Sequence, residues 1–249
     1  SGSPQRRSRA AMRTTLAIFR REFASYFNSP IAYIYLTVFI GLSSWLFLKA
    51  FFVLGEASMR NFFSLLPWIF LFFIPAVTMR SWAEEKKVGT MELLMTLPVG
   101  DAQAVLGKFL ASFAFMVLSL ALSFVLPIVV GALGNPDRGQ IFTGYLGSML
   151  IGAAYLAIGL FISSLTENQI VAFIVSVVAV FGLFVVGEDF VLFGLPDRLV
   201  PILAYLSLGG HFDSIARGVV DSRDIIYYVS VIGFFLYLNV KSVEARRWA

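Results

Sequence analysis

Two groupings in this 249-residue sequence carry side chains able to do chemistry. Glu84-Glu85 runs directly into Lys86-Lys87, and His211 stands just before Asp213. Adjacent carboxylates can act as general acid and base, and paired glutamates open some intramembrane protease motifs. Those motifs also need a nearby arginine and further histidines at membrane depth. Here Lys86-Lys87-Val88-Gly89 follows, and His211 is the only histidine. A lone histidine is a poor basis for a metal site, and no serine sits in a recognisable nucleophile elbow beside it. His211 therefore reads as a hydrogen-bonding group. The sequence has no cysteine, which removes disulfides, thiolate ligands and thiol nucleophiles. It has no GxxxxGK[ST] loop, so it cannot cradle a nucleotide by that route. A catalytic subunit is not expected, and neither a cofactor nor a metal is expected on this chain.

The elements that must position these groups are membrane helices. The chain is 59% hydrophobic and 14% charged, against about 25% charged in soluble domains. With spans of about 20 residues, there is room for about six crossings and no further soluble domain of ordinary size. The expected class is an all-α polytopic membrane protein, with a single transmembrane domain over 12–249 and residues 1–11 read as a tag or linker remnant.

Expected spans run from about residue 31 to 54, 61 to 79, 102 to 130, 142 to 165, 169 to 186 and 225 to 240. Before them, residues 14–28 form an amphipathic helix with Leu16, Phe19, Phe23, Tyr26 and Phe27 on one face, suited to lying in the membrane interface. Ser29-Pro30 predicts a helix start, with Ser29 as N-cap and Pro30 at the first helical position. Asp101 is the expected N-cap of the third span. Pro67 and Pro75 predict kinks in the second. Lys49 is expected to snorkel. In the fourth span, Ser148 and Gly152, Ala153 and Ala157, and Gly159 and Ser163 recur at four-residue spacing, which permits close helix approach in lipid. Residues 187–224 alternate short apolar pieces with charges, prolines and glycines, and read as re-entrant or interfacial helices.

Basic residues set the orientation. Arg13, Arg20, Arg21, Arg80, Lys86, Lys87, Lys108, Lys241, Arg246 and Arg247 fall on one side, against Arg60, Arg138, Arg198, Arg217 and Arg223 on the other. The excess predicts both termini, and the Glu84–Val99 insert, in the cytoplasm. Within the insert, Thr90 is expected to cap a short helix, Met91–Leu97. Glu92 would lie in its first turn, Leu93, Leu94 and Leu97 on an apolar face, and Pro98 would act as a stop. So short a helix needs something packed on it. A groove on a cytoplasmic partner would serve.

Several stretches carry a resemblance. They are Phe19-Arg20-Arg21-Glu22-Phe23 leading to Ser29-Pro30; Glu84 to Leu94 with Leu97-Pro98-Val99; Gly107-Lys108; Ser163 to Gln169; and His211 to Asp221. In order and spacing the chain resembles the permease subunits of type-2 ABC exporters, and within them the gliding-motility (GldF-like) branch. The resemblance implies six spans, an N-terminal elbow helix, an outward re-entrant helical region containing His211, Phe212, Asp213, Arg217 and Gly218, and a coupling helix near Thr90 to Leu97. It implies residence in the bacterial inner membrane, pairing with a second copy or a related membrane subunit, and a dimer of ATPase subunits made as separate chains, which hold the ATP and Mg. The ATPase-coupling residues would be Glu84, Glu85, Gly89, Thr90, Glu92, Leu93, Leu94, Leu97 and Pro98, with Thr166, Glu167 and Asn168 as a second contact. Besides an exporter, a gliding-type anchor passing ATPase motion to an extracytoplasmic protein fits the same residues. A channel or secondary transporter fits less well, because no carboxylate falls mid-span. No nucleic-acid partner is expected.

Overall fold

The structure, a computed structural model, describes residues 4–56, 58–90 and 100–247, with side chains for 12–56, 58–90 and 100–245. Among the described residues every regular element is helical: α1 (Pro4–Phe27), α2 (Pro30–Leu54), α3 (Arg60–Val88), α4 (Asp101–Leu122), α5 (Val125–Leu133), α6 (Arg138–Ser163), α7 (Gln169–Val185), α8 (Asp189–Leu192), α9 (Val200–Leu206), α10 (Leu208–Ala216) and α11 (Ser222–Arg247). Five stretches are long and apolar enough to cross a membrane: α2, α3, α4 continued by α5, α6 and α11. The expected fifth span coincides with α7, which has only 17 residues. At 1.5 Å per residue it reaches about 25 Å, just short of a 30 Å hydrocarbon core.

The bundle is built around α6. Of its apolar window 78% is buried, against 22% for α2 and 17% for α11. Its small residues explain this. A Cβ on Gly144 would lie 2.3 Å from the Phe63 ring, and one on Gly159 would lie 2.2 Å from Thr78 Oγ1. The spacing seen in the sequence thus brings the α6 backbone against α3, where dispersion contacts do the work that water exclusion does in soluble proteins. Aromatic side chains fill the remainder, with Phe39, Phe62, Phe63, Phe70 and Tyr155 all fully buried.

Ser29 caps α2 as expected, and Asp137 and Asn168 cap α6 and α7. Ser29 Oγ accepts from Ile31 N at 3.3 Å, Asp137 Oδ1 accepts from Gly139 N at 2.8 Å, and Asn168 Oδ1 accepts from Ile170 N at 2.9 Å. Asp101 is not a cap. Gly100 takes that position, and its N–H donates to Gln103 Oε1 at 3.3 Å. The third span is not one continuous helix but breaks at Ser123-Phe124, between α4 and α5. The proline ring of Pro127 clashes with the carbonyl four residues back, and that carbonyl belongs to Ser123. The Ser123 hydroxyl then donates to Leu120 O at 2.7 Å and meets Tyr145 Oη at 3.1 Å.

Two further boundaries differ from the sequence reading. α1 begins at Pro4, well before Thr14. More consequentially, α3 does not stop near Met79 but continues to Val88, so Glu84 to Lys87 lie on a helix rather than in a turn. Trp82 and Ala83 are fully buried on this extension, where Trp82 packs with Ala104, Val105, Leu160 and Val243. Tertiary packing carries the helix past the point where its hydropathy falls. Gly89 ends it in the left-handed region, at φ 74°, with its N–H bonded to Lys86 O at 3.1 Å, a conformation that costs a side-chain-bearing residue 1–2 kcal/mol or so.

Candidate functional site

The α3 extension is where the charged residues converge. Lys108 on α4 is 2% exposed, and its ammonium donates to Glu85 Oε1 at 2.7 Å and to Glu22 Oε1 on α1 at 3.1 Å. The Trp82 ring lies 4.9 Å from the same nitrogen, a cation–π contact that adds a further attraction where water is scarce. One cation therefore joins three helices. The approach of α1 to α4 requires Gly107, where a Cβ would fall 2.6 Å from Ile18 Cγ2. Tyr26 stacks on Phe115 at 4.8 Å and shares a 2.9 Å hydrogen bond with Ser112. Burial pushes its phenol up to about 12, partly opposed by that bond, so it stays neutral.

A second set of ties runs from α3 to the end of α6. The Ser163 hydroxyl accepts from Trp82 N at 3.2 Å and from Ala83 N at 3.3 Å, and donates to Met79 O at 3.1 Å. Lys86 Nζ donates to Ser164 O, and the Ser164 hydroxyl donates to Ser242 Oγ on α11 at 2.9 Å. The Thr166–Asn168 turn follows directly. Asn168 N donates to Thr166 Oγ1 at 3.1 Å, and Asn168 caps α7. The end of α3, the start of α4, α1, the end of α6 and the end of α11 thus form one hydrogen-bonded cluster. Of the sequence-derived coupling residues, Glu85 is at its centre, while Glu84 is exposed at its edge and Glu167 lies in the adjoining turn. The Thr90 hydroxyl donates back to Glu85 O at 3.3 Å. The expected helix Met91–Leu97, with Glu92, Leu93, Leu94, Leu97 and Pro98, lies outside the described residues.

From sequence, Lys108 is one of the basic residues on the cytoplasmic side and Glu22 part of the amphipathic first helix, with no pairing between them. The available signal was a lone lysine between Val105-Leu106-Gly107 and Phe109-Leu110, a setting in which a charge is retained only with a partner.

The opposite end of the bundle holds residues 187–224. His211 Nδ1 lies 2.7 Å from Asp224 Oδ1, and its Nε2 lies 3.0 Å from Tyr205 O. Its ring stacks on Tyr227 at 3.9 Å. The sequence neighbour Asp213 is not its partner. Phe212 is buried beside Gly147 of α6. The Asp213 backbone carbonyl accepts from Arg217 Nε at 3.2 Å, and Gly218 turns the chain at φ 96°. Burial raises the Asp213 carboxyl above the usual range, opposed by Arg217 and Arg60. Burial also raises Glu188, aided by Asp213 and Asp189. Among the described residues no group of three or more His, Cys, Asp or Glu could hold a metal ion.

Among the described residues, the ties around Lys108, Ser163 and Ser164 link the ends of α1, α3, α4, α6 and α11 to one another. A stretch of 111 residues, 45% of this chain, is 32% identical to the probable multidrug ABC transporter permease YbhR of Escherichia coli strain K12, covering 30% of that protein's length. The same protein from Escherichia coli O157:H7 matches equally. The chain therefore aligns with less than a third of the length of these relatives. The signature of the ABC-2 family transporter proteins matches residues 23–238, which takes in α2 to α7, the 187–224 region and most of α11. The chain is a multi-pass membrane protein belonging to the ABC-2 family of transporter proteins.

Proposed function

We propose that this chain is the permease subunit of an ATP-driven exporter in a bacterial inner membrane, moved by ATPase subunits on separate chains that bind ATP and Mg. The observation that carries this reading is the Glu85–Lys108–Glu22 cluster. It ties the helix leading into the Met91–Leu97 segment to α1 and α4, while Lys86 and Ser163 tie the same helix to the end of α6, just before the Thr166–Asn168 turn. A push on the segment after Gly89 would move three membrane helices together instead of bending a loop. Supporting features are the family membership and the excess of basic residues at this end, which argues that it faces the cytoplasm with both termini. α7 would supply a sixth crossing, which returns the chain to that side. α1 would serve as the elbow helix and residues 187–224 as the outward re-entrant region. A second copy or a related subunit would complete the membrane domain.

The test is the Leu94→Asp variant, reconstituted with the cognate ATPase. The protein is expected to reach the membrane in normal amount but to lose ATPase association and stimulation. Unchanged co-purification and turnover would remove Leu94 and its helix from the docking role.

A gliding-type anchor that moves a protein partner without exporting a solute is the second reading. The exposed apolar side chains at the far end favour it, with Phe193 at 91% and Phe190 at 71% exposed, a surface suited to an extracytoplasmic protein. ATPase activity stimulated by an amphipathic solute in liposomes containing only permease and ATPase would decide for export.

A further inference from the structure

His211, the one histidine of the chain, stands where α9, α10 and α11 meet. Its Nδ1 lies 2.7 Å from Asp224 Oδ1 of α11, and its Nε2 lies 3.0 Å from the backbone oxygen of Tyr205, near the end of α9. A backbone carbonyl can only accept, and so can an ionised carboxylate. Asp224 falls in the first turn of α11, where the unpaired amide N–H groups favour its ionised form. Both ring nitrogens therefore face acceptors, and both contacts are satisfied together only when each nitrogen carries a proton. The neutral ring has a single N–H, so one of its lone pairs would point at an oxygen. The face of Tyr227, stacked on the imidazole at 3.9 Å, also suits a cation. The other charges of the packed elements are engaged elsewhere. Asp213 of α10 interacts with Arg217 and with Arg60 of α3, and Glu188, between α7 and α8, with Asp213 and Asp189. Asp221 Oδ1 accepts from Arg223 N at 2.9 Å, with both residues exposed. Arg138 is the one charged residue of α6, and α7 has none. The Tyr205 ring stands edge-on to the imidazole at 5.4 Å.

We propose that His211 is a proton-dependent clamp: protonated, it holds the end of α9 against α10 and α11, and on passing its proton to water it releases the Tyr205 carbonyl. The remaining N–H stays with the charged carboxylate, the stronger acceptor of the two. The side chains of His211 and Asp224 keep 12% and 10% of their exposure, so the proton can exchange with solvent. None of the seven residues of α9 is buried, so little besides these contacts retains that helix. The joint after it is held in either state, because Tyr227 Oη donates to Leu206 O at 2.6 Å and Tyr228 Oη donates to Leu208 O at 2.7 Å. Release is thereby confined to α9, which carries Ile202 and Tyr205 exposed. The clamp does not depend on the ATPase reading.

The test uses the full chain in detergent, purified without a histidine tag and carrying isotope-labelled histidine, so that nitrogen NMR reads one imidazole. Both ring nitrogens are expected to be protonated at about pH 5.5 and Nδ1 alone at about pH 8.5, values that bracket the range in which a histidine ordinarily changes charge. Hydrogen exchange of the 199–208 amides, corrected for the intrinsic effect of pH, is expected to be about tenfold faster at the higher pH, the scale of one charge-assisted hydrogen bond. His211→Phe keeps an aromatic ring against Tyr227 but has no N–H. It is expected to show the faster exchange at both pH values, with the 144–160 amides of α6 unchanged as the sign of an intact fold. Asp213→Asn is expected to keep the pH step. One protonated nitrogen at both pH values, or two at both, would overturn the proposal, and the spectrum of the unaltered chain decides this even where His211→Phe fails to fold. A step that survives in His211→Phe, or disappears in Asp213→Asn, would overturn it equally.

Discussion

Replacing Lys108 by methionine keeps most of the side-chain volume and removes the charge, so the consequence can be worked from the geometry. At separations of 2.7 and 3.1 Å and an effective dielectric of about 20, the two attractions are about 6 and about 5 kcal/mol. Against this stand several kcal/mol for taking the ammonium out of water, and a smaller amount for Glu85 and Glu22, whose side chains keep 17% and 20% of their exposure. The net worth of the cluster is therefore small. Its loss by halves is not, because Lys108→Met leaves two carboxylates facing each other around an apolar side chain. Breaking a buried pair costs 3–5 kcal/mol or so, and the residual exposure argues for about 3. The triple variant Glu22→Gln, Lys108→Met, Glu85→Gln removes charge on both sides and is expected within about 1 kcal/mol of the parent. Denaturant unfolding of the detergent-solubilised chain, followed by far-UV circular dichroism, measures all three. If Lys108→Met and the triple variant were equally stable, the cluster would not be a buried, mutually dependent unit and the linkage argument would fail.

Other outcomes follow from the packing and charges. Alanine at Gly144 and Gly159 must displace the Phe63 ring and the β-branched Thr78 and is expected to cost about 1–3 kcal/mol each. At Gly152 the clash is with the flexible Met116 Sδ, so the loss is expected to be smaller; thermal aggregation midpoints in that rank order check it, and the reverse order contradicts it. Asp213 carries a raised pKa, so its ionised form costs stability above that value, and the cost fades as pH falls through it. Asp213→Asn is expected to raise stability near pH 8 and to converge with the parent toward about pH 4. A variant less stable than the parent at every pH would refute this assignment.

Composition and hydropathy made the all-helical membrane architecture legible, because crossing a bilayer leaves a long apolar run. The Ser29 cap was legible too, since capping is local. Helix ends at the membrane boundary were not. Hydropathy marks where lipid stops, whereas α3 ends only when Trp82 and Ala83 have been buried. The break at Ser123 was missed because Pro127 acts four residues upstream. The central cluster was least visible, as Lys108 and Glu22 are 86 residues apart and only the packing of α1 against α4 brings them together. For His211 the sequence offered Asp213, but helical geometry in α10 turned that carboxyl away and Asp224 of α11 became the partner.

Under the proposed function, an ATPase acts on the bundle at the end of α3 and at the Thr166–Asn168 turn. The chain has no cysteine, so single cysteines can be placed without background. Val88 and Leu165 flank the cluster at 68% and 54% exposure, and Phe193 is exposed at the opposite end. In membranes holding the cognate ATPase, a thiol cross-linker is expected to join that subunit to Val88→Cys and Leu165→Cys, more strongly with ATP, and not to Phe193→Cys. Cross-links at Phe193→Cys, or none at the other two in an active complex, would contradict the account.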